Sequence, residues 1–325
     1  MSERHRGSSD DRVSSVSVVV PVYNAARTLR TLLERLDRAL AASGLPFEVI
    51  AVNDGSRDES WQVIQEEASH RPWLVGIDLS RNFGQHNALL CGIRAARHEA
   101  IVTLDDDLQN PPEEIPRLLG LLASGYDVVY GSPEHEQHGL WRDIASQTTK
   151  LVLGEVLGAS TARQVSGFRA FRTELRAAFD DYSGPSVNVD VLLTWATARF
   201  GATKVRHDPR QLGASSYTFR KLAAHALNML TGFSTVPLQV ASVLGFGLTA
   251  FGLVLLIYVI SRYVIQGVTV PGFTFLATVI VIFSGAQLFT LGVIGEYLAR
   301  MHFRVMRQPS YSIRRQVGVS EKNFT

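Results

Sequence analysis

Apolar positions in the first two thirds of the chain follow two spacings in turn. Val16 to Val22, VSVVVPV, is an unbroken β-branched run, the pattern of a strand buried on both faces. Residues 25 to 42 then place Leu29, Leu32, Leu33, Leu36 and Leu40 at helical spacing. The alternation repeats, predicting strands over 47–52, 74–79 and 100–104 and helices over 59–68, 87–96 and 112–123, the last with prolines in its first turn. After Val128-Val129-Tyr130 it blurs into a helical segment around 141–157, a turn at Ser166-Gly167 and further helix. Strands alternating with helices predict an α/β fold with a mainly parallel sheet covered on both faces, and such sheets bind ligands at the carboxyl ends of their strands. Asn53-Asp54-Gly55-Ser56 and Asp105-Asp106-Asp107 fall at two of these ends, so both acidic turns are expected on one rim.

The pattern changes in the last third. Leu238 to Ile260 and Tyr263 to Gly295 contain no Asp, Glu, Lys or Arg. Each exceeds the roughly 20 residues needed to cross a bilayer core, and the alternative, two buried core helices, seldom reaches such length. Joined by Ser261, Arg262 and VIQGVTVPG, they are expected to form a transmembrane hairpin, with Gly245, Gly247, Gly252, Gly285, Gly292 and Gly295 either letting the backbones approach or facing lipid. Arg220 and Lys221 precede the first span, and Arg300, Arg304, Arg307, Arg314 and Arg315 follow the second, against Arg262 alone between them. That asymmetry places both ends in the cytoplasm. Residues 217–230, YTFRKLAAHALNML, gather Phe219, Leu222, Ala226 and Leu230 on one face, as in a helix lying in the membrane interface. Beyond the hairpin, Tyr311, Ile313, Arg315 and Val317 alternate with Ser312, Arg314 and Gln316. This strand pattern must join a sheet edge in its own chain or in a neighbour. We expect the neighbour, in a homo-oligomer.

Composition narrows the partners. Of 325 residues 46% are hydrophobic, an ordinary globular content, and the net charge of +2 gives no ground for nucleic-acid binding. Cys91 is the single cysteine, which excludes an intrachain disulfide and a cysteine zinc cage; its apparently buried helix makes it a packing residue. The opening MSERHRGSSDDRVSS lacks the apolar core of a signal peptide and reads as a disordered lead over residues 1–15.

The acidic run in TLDDDLQNPP calls for a divalent cation, a basic partner segment or water. In an extended chain Asp105 and Asp107 would face one cation with Asp106 turned aside, and Gln109 would add an amide oxygen two positions on. Mg²⁺ and Mn²⁺ take such oxygen ligands together with substrate phosphates.

Taken together, VVVPVYN, AVNDGSRDES and TLDDDLQNPPEEIP resemble family 2 glycosyltransferases of the GT-A fold, a Rossmann-like catalytic domain. RNFGQHNALLCG, DLQNPPEEIPRLL and RQLGASSYTFRKL are similar to the polyprenyl-phosphate glycosyltransferases among them, the group of the undecaprenyl-phosphate 4-deoxy-4-formamido-L-arabinose transferases and dolichyl-phosphate mannose synthases. The resemblance implies a nucleotide-sugar pocket of Pro21, Tyr23, Asn24, Asp54, Asp105 and Asp106, with Asp54 accepting a hydrogen bond from the base. It implies that Asp105, Asp107 and Gln109 hold Mg²⁺ or Mn²⁺ against the diphosphate, and that Arg142, Ser146, Arg169 and Arg210 meet the acceptor phosphate, Asp105, Asp107, Arg142 and Arg210 forming the catalytic set. His86, His207 and His225 are candidates for phosphate or headgroup contact, though structural roles are commoner for such residues.

The resemblance further implies a transferase of the cytoplasmic membrane, multi-pass, working on a nucleotide-sugar (a UDP-sugar is expected) and polyprenyl phosphate, and in some relatives tetrameric. The expected organisation is the lead, a GT-A domain over 16–215, a juxtamembrane helix over 216–236, two transmembrane helices over 237–299 and a basic tail over 300–325. Three positions depart from the pattern: Ser216 where relatives carry Lys, Pro133 where some carry Arg, and Gly167 where some carry an Asp proposed as a base. A processive polysaccharide synthase would bring a Gln-x-x-Arg-Trp segment and several more spans, neither found in this sequence. A non-catalytic transport or scaffold component would have lost Asp54, Asp105 or Asp107, all present.

Overall fold

The computed structural model describes residues 12–133, 165–184, 187–208, 236–266 and 272–318. The helices expected around 141–157 and 217–230 lie outside these residues. The chain forms two compact units, one of residues 1–218 with 307–325, the other of residues 219–306.

In the first unit β1 (Val16–Val22) is fully buried, and its residues divide by the two-residue period of a strand. Val16, Val18, Val20 and Val22 enter one core with Leu29, Leu32, Leu33, Leu36 and Leu40 of α1 (Ala26–Ser43); Val19 enters the other. β2 (Phe47–Asn53) divides likewise, Val49 and Ala51 to the first core, Ile50 and Val52 to the second. The first core also takes in α2 (Ser60–His70) and α4 (Ile115–Ala123); α3 (Gln85–Ala95) and α5 (Val189–Ala196) line the second. Truncating a fully buried leucine such as Leu33 to alanine would cost about 2–5 kcal/mol.

The sheet holds eight strands in the order β7-β5-β6-β4-β1-β2-β3-β8. β4 (Ala100–Thr103), β1, β2 and β3 (Leu74–Leu79) are parallel. From β1 the chain steps to β2 and β3 on one side and returns to β4 on the other, which makes the β1/β4 boundary the switch point where such sheets bind ligands. The expected "further helix" after Gly167 is instead β6 (Arg169–Arg172), antiparallel between β4 and β5 (Val128–Pro133), followed by a 3₁₀ turn, α5 and β7 (Phe200–Val205).

Two boundaries differ from the sequence expectation. The lead is not free up to Val16: Val13 is buried, and the Ser14 N–H and Oγ each donate to Glu99 at 2.7 Å. The strand expected in the tail is β8 (Ile313–Val317), which pairs antiparallel with β3 of its own chain and belongs to the first unit. Pairing with a neighbour's sheet is thereby corrected; the edge of β3 at home supplies the partner.

The second unit contains α6 (Val236–Gln266) and α7 (Phe273–Val305). Val236–Ile265 has a mean hydropathy of 2.5 and Ile282–Ala299 of 1.3, and neither span is buried within the chain. Of the glycines expected between the helices, Gly252 alone meets the opposite one, where a Cβ would stand 2.8 Å from the Phe283 ring. Among the described residues, nothing lies within 4 Å of a Cβ at Gly245, Gly247, Gly285, Gly292 or Gly295.

Candidate functional site

At the switch point, a cavity of about 310 Å³ opens between the ends of β1, β2 and β4, within the size range of small-molecule sites. Pro21, Val22 and Tyr23 form one wall, Tyr23 standing 46% exposed. Asn24, which follows with φ of 54°, is not among the lining residues. Its N–H donates to Ser56 Oγ at 3.0 Å and its Oδ1 accepts from Arg57 N at 2.8 Å, so it frames the neighbouring turn. Asn24 thus joins the end of β1 to the turn that carries Ser56 and Arg57.

Asp54, 3% exposed, accepts Phe83 N at 2.7 Å and Gly84 N at 2.9 Å. Burial pushes its carboxyl up, and the two N–H donors oppose that. Asp54 therefore holds the 80–84 loop against the cavity, a task beyond the expected contact with a base. Gly55 allows the approach: its φ is 65°, and a Cβ there would lie 2.5 Å from Asn82 N. The loop brings Asn82, Gly84 and Gln85 into the lining. Sequence reasoning assigned these three no role, although RNFGQHN had been singled out; nothing in its apolar spacing points to a wall.

The acidic run does not continue β4, which ends at Thr103. Asp105 leads into a turn that holds Asp106 and Asp107, and all three line the cavity, because a strand's alternation of faces ends with the strand. Asp106 is thus not turned aside: its Oδ2 accepts Tyr23 N at 3.0 Å. Burial, with the charges of Asp105 and Asp107 adding to it, pushes the Asp106 carboxyl up to about 7, against the pull of the Tyr23 N–H. Asp105 Oδ1 accepts Gln85 Nε2 at 2.7 Å, and Asp107 Oδ1 accepts Gln109 N at 3.1 Å. Leu108, buried with φ of 62°, reverses the chain between them, and Gln109 is not among the residues lining the cavity. The bend at Leu108 replaces the extended chain on which the spacing of Asp105, Asp107 and Gln109 is read.

Four carboxylates and no lysine, arginine or histidine line the cavity among the described residues. Within the same residues, no three acidic, histidine or cysteine side chains close around one point. This donor set fits a hard divalent cation such as Mg²⁺ or Mn²⁺, held by one or two carboxylates and completed by substrate phosphate and water oxygens.

Of the four residues expected at the acceptor phosphate, Arg142, Ser146 and Arg210 lie outside the described residues. Arg169 is 1% exposed, its guanidinium paired with Asp190 and its Nε donating to Thr103 Oγ1 at 3.1 Å. Tyr130 Oη donates to the same Asp190 oxygen at 3.1 Å. A guanidinium enclosed by a carboxylate, a hydroxyl and the core is a structural ion pair, which corrects its assignment to phosphate. Thr103 Oγ1 in turn donates to Gly167 O at 2.6 Å, carrying this buried network to the floor beneath Asp105.

The two candidate histidines among the described residues likewise bind protein. His86 Nδ1 accepts Val189 N at 3.3 Å, and His207 Nδ1 lies 3.3 Å from Asn110 Oδ1; His225 is outside the described residues. Cys91 is buried as expected, its thiol pushed up to about 12 by burial.

The sequence model of the family described as Glycosyl transferase family 2 matches residues 17–183. The undecaprenyl-phosphate 4-deoxy-4-formamido-L-arabinose transferase of Pectobacterium carotovorum subsp. carotovorum (strain PC1) is 34% identical over 313 residues, covering 95% of this chain and 96% of its own. That of Proteus mirabilis (strain HI4320) is 34% identical over 319 residues, covering 97% and 98%. A crystal structure of a mycobacterial protein is similar in fold, with a TM-score of 0.50 at 19% identity over 67% of this chain and 73% of that one.

Proposed function

The chain belongs to glycosyl transferase family 2, and from that premise we propose that it transfers a sugar from a nucleotide-sugar, expected to be a UDP-sugar, to polyprenyl phosphate at the cytoplasmic face of a membrane. The observation that carries this reading is the acidic cavity at the β1/β4 switch point, in a chain similar over nearly its whole length to undecaprenyl-phosphate sugar transferases. The two long apolar helices support anchoring in the bilayer, and the excess of basic residues on both flanks supports cytoplasmic ends.

In this reading Tyr23 and the 80–84 loop take the nucleoside, and Asp105 and Asp107 hold Mg²⁺ or Mn²⁺. The cation supplies charge neutralisation for the departing nucleoside diphosphate. Asp106 secures the Tyr23 wall, and Gln85 orients Asp105. The acceptor's phosphate oxygen forms the new bond to the anomeric carbon while the bond from that carbon to the nucleotide's phosphate oxygen breaks, and the nucleoside diphosphate leaves with the electron pair. A phosphate monoester has its second pKa near 6, so at neutral pH the acceptor is largely a dianion and needs no base. Gly167 agrees with a base-free step, and rate enhancement then rests on positioning and charge stabilisation, with Arg142, Ser146 and Arg210 proposed at the acceptor phosphate.

The test is incubation of the purified full chain with undecaprenyl phosphate and a panel of UDP-, GDP- and dTDP-sugars, the lipid product being weighed by mass spectrometry. One donor should yield a polyprenyl-phosphate sugar. Hydrolysis of donors without any lipid product would overturn the acceptor assignment.

A further inference from the structure

The chain beyond α7 is built into the cavity's support. Ser310 is 4% exposed, its Oγ donating to Gly184 O at 2.7 Å and accepting Gly184 N at 3.3 Å. β8 then runs along β3, with Arg315 opposite Asp78. Asp78 is 2% exposed and its carboxylate is held from two sides. Arg315 donates Nε and Nη2 to Oδ2 at 3.2 and 3.1 Å, and Asn53 Nδ2 donates to Oδ1 at 2.7 Å. Asn53 ends β2, and its Oδ1 accepts Ser56 N at 3.4 Å across the turn that carries Asp54. A second line passes through Ser80, whose N–H donates to Ser312 O at 2.8 Å and whose carbonyl accepts Arg314 Nη2. Ser80 opens the loop that Asp54 binds through Phe83 and Gly84. The 53–56 turn and the 80–84 loop, two walls of the cavity, are thus anchored on one strand from the far end of the chain.

We propose that β8 is a positioning element of the nucleotide pocket, Arg315 acting through Asp78 and Asn53 to hold the two walls in their binding geometry. The proposal rests on the assignment of this cavity to the nucleotide donor. Arg315 lies over the Trp61 ring at 5.4 Å, which fixes its guanidinium beside Asp78. Without it the Asp78 carboxylate keeps Asn53 and a more distant Arg314, 4.0 Å away, and the oxygen Arg315 bound must find another donor. The change is felt at Asn53 before it is felt in either core.

The experiment compares the full chain in detergent with Arg315→Met, Arg315→Lys and Val317→Ala. Val317 packs over Gly76 outside the hydrogen-bonded line, so its truncation loosens β8 without touching Asp78. Binding of UDP, GDP and dTDP is titrated calorimetrically with Mg²⁺ present, melting temperatures are recorded, and amide exchange is followed across residues 80–84. Arg315→Met should weaken the nucleotide that binds by about tenfold, the loss of one charge-assisted contact, and speed exchange at Phe83 and Gly84. Arg315→Lys should recover most of the affinity, and Val317→Ala should lower the melting temperature with affinity unchanged. Wild-type exchange at Phe83 and Gly84 in Arg315→Met, or equal loss of affinity in Val317→Ala, overturns the proposal. If none of the three nucleotides binds the wild-type chain, the donor assignment fails, and the exchange rates alone decide the role of β8.

Discussion

Gly167 lies directly against Asp105: a Cβ built on the glycine would stand 2.9 Å from Asp105 Oδ2. Asp105 is a short side chain already tied to Gln85 on its other oxygen, so it has little room to yield. Gly167→Ala should turn the carboxylate away from the cavity. We expect kcat to fall by about tenfold or more with the melting temperature nearly unchanged, since small misplacements of reacting groups are costly. A variant with wild-type kcat would show that Asp105 tolerates displacement.

Asp105→Asn and Asp107→Asn should each abolish turnover and leave the circular dichroism spectrum intact. Chelation by excess EDTA should do the same to the wild-type enzyme, and added Mg²⁺ or Mn²⁺ should restore it. Full activity of Asp107→Asn would remove that residue from the cation site.

The acidic turn was legible in the sequence because three adjacent carboxylates repel one another wherever they stand, and a parallel strand buried on both faces announces its end as a β-branched run such as VSVVVPV. The lower half of the sheet was not legible. β6 is four residues, RAFR, two arginines around two apolar residues, and β7 is FGATKV, both too short and mixed to show a period. Arg169 reads in sequence as one more cation; only folding brings up Asp190, 21 positions later, and encloses the pair. For β8 the two-residue alternation gave the strand and left its partner open, because an edge is a property of the sheet and not of the strand.

Asp106 should make the cation-free protein less stable as pH rises. The folded chain keeps its proton to about pH 7, while the unfolded chain releases it near the ordinary aspartate value of about 4. The folded state holds the extra proton between those values, so this contribution to stability is complete below about pH 4 and lost as pH passes 7. Asp106→Asn keeps an acceptor for Tyr23 N and removes the charge. In EDTA at pH 8 it should melt above wild type by roughly 2–4 °C for each kcal/mol recovered, with the difference gone near pH 4. A constant difference across that range would show that Asp106 is ionised throughout.

Arg169 and the arginines proposed at the acceptor should separate cleanly. Arg169→Ala strands the buried Asp190 charge and should cost about 3–5 kcal/mol, seen as a lower melting temperature or loss of soluble protein. Arg142→Ala and Arg210→Ala should instead raise the KM for polyprenyl phosphate by about tenfold to a hundredfold with little change in melting temperature or nucleotide binding. Parallel losses of donor and acceptor affinity would reassign them to the framework.

Truncation after Gln308 tests where the tail belongs. With β8 paired at home, removing residues 309–325 uncovers the β3 edge from Gly76 to Leu79, strips Asp78 of both arginines and takes Ser310 from Gly184. A bare strand edge recruits other chains, so the truncated protein should melt earlier and form aggregates of mixed size. We propose a homo-oligomer on the remaining surfaces, and the glycines of α6 and α7 that meet nothing among the described residues are where its subunits would pack. Light scattering of the intact chain in detergent should then give a multiple of the 35.8 kDa subunit, and Gly245→Leu or Gly285→Leu should reduce it while leaving the tail in place. A clean fall from oligomer to stable monomer on truncation would instead mean that β8 serves a neighbouring copy in solution. An intact chain of monomer mass would end the oligomer proposal.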